Sequence, residues 1–302
     1  MKTGILLVNL GTPASPSTGD VRRYLTEFLN DPRVMDIPWL SRKLLVNLLI
    51  VPFRAPRSAA LYKTIWTREG SPLMTHTMRL CDLLQRSLGS GFDVRFAMRY
   101  GQPSIPSVLT DGFLSSVEKL VVVPLYPQYA SSSTGTAVEM VMQTLSEKEV
   151  IPSVEFVNDF YAHPGFIGAW AARAKEYQHE TYDHVIFSFH GLPERHIHKA
   201  SPSGNCLRVE NCCQALNDSN RNCYRAQCYH TAANIARSAG ISADKFSVSF
   251  QSRLGRDPWI RPFTDHVIKE RAAAGKKKLL VYAPAFVSDC LETLHEIAVE
   301  YD

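Results

Sequence analysis

Five of the seven cysteines in this chain fall in one stretch, NCLRVENCCQALNDSNRNCYRAQC at 205–228: Cys206, Cys212, Cys213, Cys223 and Cys228. Thiolates hold soft metals and iron–sulfur clusters. No C-x2-C knuckle occurs, which weakens a structural zinc site. Four residues separate Cys223 from Cys228, a gap that [2Fe–2S] clusters use, and four thiolates are what such a cluster needs. Cluster, zinc and free thiols stay open on spacing alone, in that order. Cys81 and Cys290 stand apart.

Two other groups could do chemistry. His190 ends an apolar run and is followed by Gly191 and Pro193, a turn that would aim its imidazole into a cleft. Imidazole binds divalent metals or accepts a proton near neutral pH; the plainer reading is a structural strand-end histidine. Asp289, Glu292 and Glu296 stand at i, i+3 and i+7 of DCLETLHEIAVE. In an α-helix that spacing stacks three carboxylates on one face, fit to relay protons or a cation. Otherwise they form a solvated acidic face near a helix start.

Residues 38–54, PWLSRKLLVNLLIVPFR, set Trp39, Leu40, Leu44, Leu48, Leu49 and Phe53 among Arg42, Lys43 and Arg54. Core packing and a lip for an apolar ligand or membrane surface explain this segment equally well. Arg99, Tyr100, Trp259 and Phe286 lie near strand ends, where together they would line a flat, aromatic cleft.

These groups need elements to position them. Short apolar runs at 4–11, 92–100, 119–126, 154–161, 184–191, 245–252 and 277–285 read as buried parallel strands. Helix-period segments alternate with them, which predicts an α/β fold with parallel sheets. A division near residues 151–153 suggests two doubly wound halves, 1–152 and 153–302. Ligands in such sheets sit at the carboxyl ends of strands, where the candidate residues cluster. No glycine-rich phosphate loop appears.

Apolar residues make up 45% of the 302 and charged residues 21%, an ordinary globular balance, and the net charge of +4 lends no support to nucleic-acid binding. The start, MKTGILLVNLG, carries too short an apolar run for a signal peptide, so a cytoplasmic protein is expected, where clustered cysteines are more often ligands than disulfides.

Taken in order, NLGTP, GSPL, MRYGQP, PLYPQYASSSTG, SFHGLPER, FQSRLGRDPW and PAFVSDCLETLHEIA resemble the ferrochelatase family over nearly the whole chain. The resemblance implies two Rossmann-like, chelatase-like halves with four-stranded parallel sheets and a porphyrin cleft between them. The implied reaction inserts ferrous iron into protoporphyrin IX to form protohaem, with release of two protons. His190 matches the active-site histidine and Glu292 the active-site glutamate, as pyrrole proton acceptor or ligand of substrate Fe2+. Asp289 and Glu296 match the accompanying acidic positions. Either role of His190 needs the imidazole unprotonated. Leu10, Arg99, Tyr100, Trp259 and Phe286 would face or support the macrocycle. Segment 38–54 resembles the hydrophobic lip, with Arg54 for a propionate and a peripheral membrane contact as a consequence. Monomer and homodimer are both open.

The resemblance also favours an internal [2Fe–2S] cluster on Cys206, Cys213, Cys223 and Cys228, with Cys212 as alternate to Cys213. Such a cluster, with all its ligands cysteine, has no open iron for substrate, so its expected task is to pin the loop after His190. Two departures stand out. Cys290 occupies a place where several relatives carry histidine, and relatives continue past HEIAVEYD through a further strand and helix. The rival readings are a chelatase for coproporphyrin and iron or sirohydrochlorin and cobalt, and a haem-binding or iron–sulfur sensor protein on the same scaffold.

Overall fold

The computed structural model describes residues 2–201, 204–253, 255 and 257–300; Leu254 and Arg256 of FQSRLGRDPW, and the final Tyr301 and Asp302, lie outside the described residues. Seven strands form where the apolar runs predict them: β1 (Lys2–Gly11), β2 (Phe92–Tyr100), β3 (Val117–Pro124), β4 (Ser153–Phe156), β5 (His184–His190), β6 (Phe246–Gln251) and β7 (Leu279–Tyr282). All the pairings between them are parallel. One sheet runs β2-β1-β3-β4 and the other β6-β5-β7. Among the described residues the second sheet therefore has three strands, not the four that the resemblance implies.

The chain separates into two compact units. The first holds the residues up to Tyr126, Ala130–Asn158 and Ser288–Ala298; the second holds Pro127–Tyr129, Asp159–Val287 and the residues from Val299. Each central strand is buried on both faces, which is why its sequence is apolar throughout rather than alternating. In β1, Leu6 and Val8 are fully buried. They join Leu120, Val122, Phe113 and Val141 in one core layer. In β5, Phe187 and Phe189 are fully buried. Phe187 packs on Phe246 and Tyr282 from the two flanking strands, with ring centroids 5.6 and 5.8 Å apart. Truncating such a residue to alanine costs about 3–5 kcal/mol.

In the first unit, helix α1 (Thr18–Leu29) starts at Ser17, whose Oγ accepts from the Asp20 amide at 3.2 Å. It packs Val21, Leu25 and Leu29 against the buried face of helix α2 (Trp39–Ile65). Turn 45–50 of α2 is wound as a π-helix. Helix α3 (Pro72–Leu88) follows, and α4 (Thr136–Ser146) covers the other face of the sheet. In the second unit α5 (Pro164–Glu176) lies against α6 (Tyr224–Ala239), and α7 (Thr264–Ala273) lies against β6.

Two expectations change here. Residues 289–300 do not form one α-helix: Asp289 precedes it, exposed, and α8 (Glu292–Glu300) is wound as a π-helix. Its i→i+5 bonding replaces the 3.6-residue period on which the three-carboxylate stack was based. Segment 38–54 is divided by face rather than being wholly core or wholly lip. Val46 and Val51 are core, whereas Trp39, Leu40, Leu44, Leu48, Leu49 and Phe53 are all more than half exposed. Arg42 belongs to the buried side, with Nη1 donating to the Ile37 carbonyl at 2.9 Å.

Candidate active site

The first unit builds a pocket at the carboxyl end of β1. Leu10, Gly11 and Thr12 form one edge; Tyr24 of α1, Tyr62 and Ile65 of α2, and Ser71 and Leu73 at the start of α3 form the walls. Cys290, Leu291 and Glu292 complete its lining. Gly11 makes the turn possible. Its φ is +111°, and a Cβ there would lie 1.8 Å from the Tyr100 carbonyl oxygen, so no other residue fits.

The pocket wall is aromatic and neutral around one carboxylate. Burial first, and the Glu292 charge second, push the Tyr62 phenol and the Cys290 thiol well above their usual ranges. Both stay protonated. Burial pushes the Arg54 guanidinium down from its usual value while Glu292 acts against that shift. Arg54 Nη1 is buried without a hydrogen-bond partner, a state that costs free energy until an acceptor arrives. Asp289 accepts from Thr293 Oγ1 at 3.1 Å and lies 3.9 Å from His76 Nε2. Glu296 is half-buried on α8.

Arg99 and Tyr100 stand behind this wall. Asp31 Oδ2 accepts from Arg99 Nη2 at 2.5 Å, from the Tyr100 hydroxyl at 2.9 Å and from Thr136 Oγ1 at 2.5 Å. Tyr100 is fully buried and meets Phe28 edge-on, with Tyr24 stacked beyond it. The pair thus supports the pocket through packing.

In the second unit His190 ends β5, half-buried, with its ring 6.2 Å from that of Phe286. Its Nδ1 lies 2.6 Å from the Gly191 carbonyl oxygen. That bond fixes the tautomer with the proton on Nδ1 and leaves the Nε2 lone pair for a proton or a metal. Gly191 is pinned by its surroundings: a Cβ would lie 2.7 Å from the Gln251 carbonyl oxygen and 3.3 Å from the Trp259 ring. Trp259 is set beside it by a bridge to Pro193.

The cysteine loop lies in the same unit. Cys206, Cys213, Cys223 and Cys228 are each buried, while Cys212 is half-exposed. Buried Asn220 staples the loop by donating to the Cys212 and Ala215 carbonyls at 2.9 and 2.8 Å. Sγ of Cys213 and Cys223 are 3.8 Å apart. Hydrogen bonding from Cys223, helped by Arg225, holds the Cys213 thiol below its usual range, and the same bond with burial pushes Cys223 up.

The ferrochelatase family model matches residues 2–302. The chain belongs to the ferrochelatase family. Curated relatives named ferrochelatase include one from Pseudomonas putida, 49% identical across 98% of this chain and 88% of the relative. A second, from Legionella pneumophila, is 44% identical across 99% of this chain and 88% of its own. A third, from Pseudomonas entomophila, is 48% identical across 97% and 87%.

Of the residues lining the first unit's pocket, the sequence pointed to Leu10 and Glu292, with Arg54 on the neighbouring segment 38–54, and the structure adds Tyr24, Tyr62, Thr12, Ser71 and Cys290. Thr12 and Ser71 lie inside the NLGTP and GSPL motifs, and their side chains hydrogen-bond each other at 2.9 Å. Tyr24 and Tyr62 carried no signal beyond helical periodicity.

The thiol loop fits a four-cysteine cluster by its donor set. Among the described residues no group of three or more His, Cys, Asp or Glu is arranged to hold a single metal ion. A two-iron cluster asks instead for two thiolates on each iron. Two thiolates about 2.3 Å from one tetrahedral metal stand about 3.8 Å apart, the separation of the Cys213–Cys223 pair. Cys206 lies close enough to act electrostatically on Cys223, and Cys213 on Cys228.

Proposed function

We infer that His190 and Glu292 carry the chemistry of this ferrochelatase, and that Arg54 and the aromatic pocket receive its porphyrin. The chain is a metal-insertion enzyme of haem biosynthesis with iron and protoporphyrin as substrates. Two pyrrole protons must leave as Fe2+ exchanges its ligands for four ring nitrogens. The observation that carries the site reading is Glu292 set in a neutral aromatic pocket beside Arg54, whose buried Nη1 lacks an acceptor. A porphyrin propionate supplies that acceptor by a charge-assisted bond. Glu292 offers the carboxylate for arriving Fe2+ or departing protons, with Asp289 and Glu296 continuing the acidic path on either side. His190, its free nitrogen fixed by the bond to Gly191, accepts a proton or holds iron. Leu10 meets the macrocycle directly, Trp259 and Phe286 flank His190, and Arg99 and Tyr100 act from behind.

Cys206, Cys213, Cys223 and Cys228 hold a [2Fe–2S] cluster in this reading. Such a cluster with only cysteine ligands supplies redox chemistry and structural tethering, and leaves no open iron position. Cys213 is favoured over Cys212 because it is buried and pairs with Cys223. The exposed face of α2 is a peripheral membrane lip. By length and composition α2 could cross a bilayer, but its other face is packed with core residues, which favours an interfacial seat. In this reading the protein is cytoplasmic and makes such contact at the membrane surface.

The test pairs an iron and acid-labile sulfide assay with ferrous-iron insertion into protoporphyrin on one preparation. Expected are about two irons per chain, turnover in the parent, and metallation impaired in Glu292→Gln and His190→Ala with porphyrin binding largely kept. Unchanged turnover in either variant removes that residue from the mechanism. One zinc and no colour rejects the cluster.

A further inference from the structure

Helix α6 begins between two of the thiols: Cys223 is its N-cap and Cys228 lies in its second turn. Tyr224, which follows Cys223 directly, is buried, as are Ala226 and Gln227 between the two thiols. The Tyr224 hydroxyl donates to the His190 backbone carbonyl at 2.8 Å. This bond runs from the residue next to a thiol to the residue that accepts a proton or iron, inside one unit.

We propose that Tyr224 is a positioning residue that ties the end of β5, and with it His190, to the cysteine-anchored start of α6. The inference rests on the cluster reading given above. Tyr224 lies directly after Cys223 and one helical turn before Cys228, so one residue sits in the thiol-bearing turn and bonds the strand that carries His190. The remaining side-chain anchors of the helix start run to other segments. Gln227 donates to the Arg221 carbonyl at 2.8 Å and accepts from the Tyr129 amide at 2.7 Å. The Arg225 guanidinium lies over the Tyr229 ring at 4.8 Å, and its Nε donates to the Arg261 carbonyl at 3.1 Å. None of these reaches β5. With its thiols held, the first turn of α6 fixes where the Tyr224 hydroxyl stands, and that fixes the His190 carbonyl. With its thiols released, the turn gains freedom and the carbonyl loses a defined donor.

The experiment compares full-length parent and Tyr224→Phe, each as purified and after cluster removal by chelator and reductant. It reads iron and sulfide content, kcat and porphyrin KM, and amide hydrogen exchange over 188–193. Phenylalanine keeps the buried ring and deletes only the hydroxyl. As purified, Tyr224→Phe is expected to keep parent iron and sulfide and porphyrin KM within about twofold, while kcat falls roughly fivefold, the factor one neutral hydrogen bond is worth. Exchange over 188–193 rises. Stripping is expected to lower kcat and raise that exchange in the parent, but to change either by less than about twofold in Tyr224→Phe. Equal stripping effects in both proteins overturn the coupling. Parent kcat and exchange in Tyr224→Phe overturn the positioning role. Loss of iron from Tyr224→Phe overturns it too, by placing the hydroxyl in service of the thiols alone. A parent that holds no iron and sulfide defeats the cluster reading, while kcat and exchange in the variant still decide whether Tyr224 positions His190.

Discussion

Replacing Gly191 with alanine tests the placement of His190 without touching its side chain. The added Cβ would stand 2.7 Å from the Gln251 carbonyl oxygen, where ordinary contact begins at 3.4 Å, and 3.3 Å from the Trp259 ring. The obstacle is backbone of a paired strand, whose oxygen also accepts from the Gly191 amide at 2.8 Å. Relief therefore has to come from moving the end of β5 by about 0.7 Å, since a misplacement near 1 Å costs on the order of 100-fold in rate. On that scale kcat should fall between about 10- and 30-fold, with an overpacking cost of about 1–3 kcal/mol. The assay is iron insertion at saturating protoporphyrin, with porphyrin affinity measured by fluorescence and stability by urea titration. Gly168→Ala is the control: it lies inside α5 with nothing within 4 Å of a Cβ, and should leave all three unchanged or slightly raise stability. A Gly191→Ala protein with kcat within twofold of the parent would show that His190 tolerates the shift, and would refute the argument that its placement limits turnover.

Asp31→Ala should destabilise the first unit by about 3–5 kcal/mol, because it leaves the Arg99 guanidinium buried without its carboxylate; a change below 1 kcal/mol in urea titration would make the network ornamental. Cys213→Ser is expected to lose iron and sulfide, whereas Cys212→Ser keeps them, as measured by metal analysis; the reverse result exchanges the two ligands. Asp183 accepts from the Lys277 and Lys278 amides at 2.7 and 2.9 Å, bonds that hold its carboxyl below the usual value of 3.8. Its stabilising contribution is present above pH 3.8 and is lost as pH falls through the lowered folded value. Asp183→Asn should thus lower Tm at pH 7 and narrow its gap to the parent below pH 3.8, a trend that thermal scans at several pH values would expose.

Much of the fold was legible because buried parallel strands need continuous apolar runs, and each of the seven runs became a strand. His190 could be placed at a strand end for the same reason, with Gly191 and Pro193 as the turn. Glu292 was visible as a carboxylate, but the geometry around it was not. A π-helical winding leaves no mark in a 3.6-residue count, and the packing of Leu291 and Leu294 against the core of α1 and α2 joins residues far apart along the chain. The two faces of 38–54 were also hidden, because apolar residues lie on both and only tertiary packing divides Val46 from Leu48. Tyr24, Tyr62 and Tyr224 read as helix residues in sequence. Their hydroxyls gain meaning only from neighbours far away along the chain.

The membership of Ser288–Ala298 in the first unit bears on how the protein is made. Leu10 emerges from the ribosome well before Leu291 and Glu292, which close the same pocket. The β2-β1-β3-β4 sheet can assemble early, since domains fold as synthesis proceeds. Its pocket stays open on one side until residues 291 and 292 have been translated, so a shorter nascent chain presents Tyr24, Tyr62 and Arg54 without the Glu292 carboxylate. A gene split at 158/159 would likewise yield an N-terminal fragment whose pocket lacks a wall, and adding residues 288–298 as a separate peptide should be what restores it.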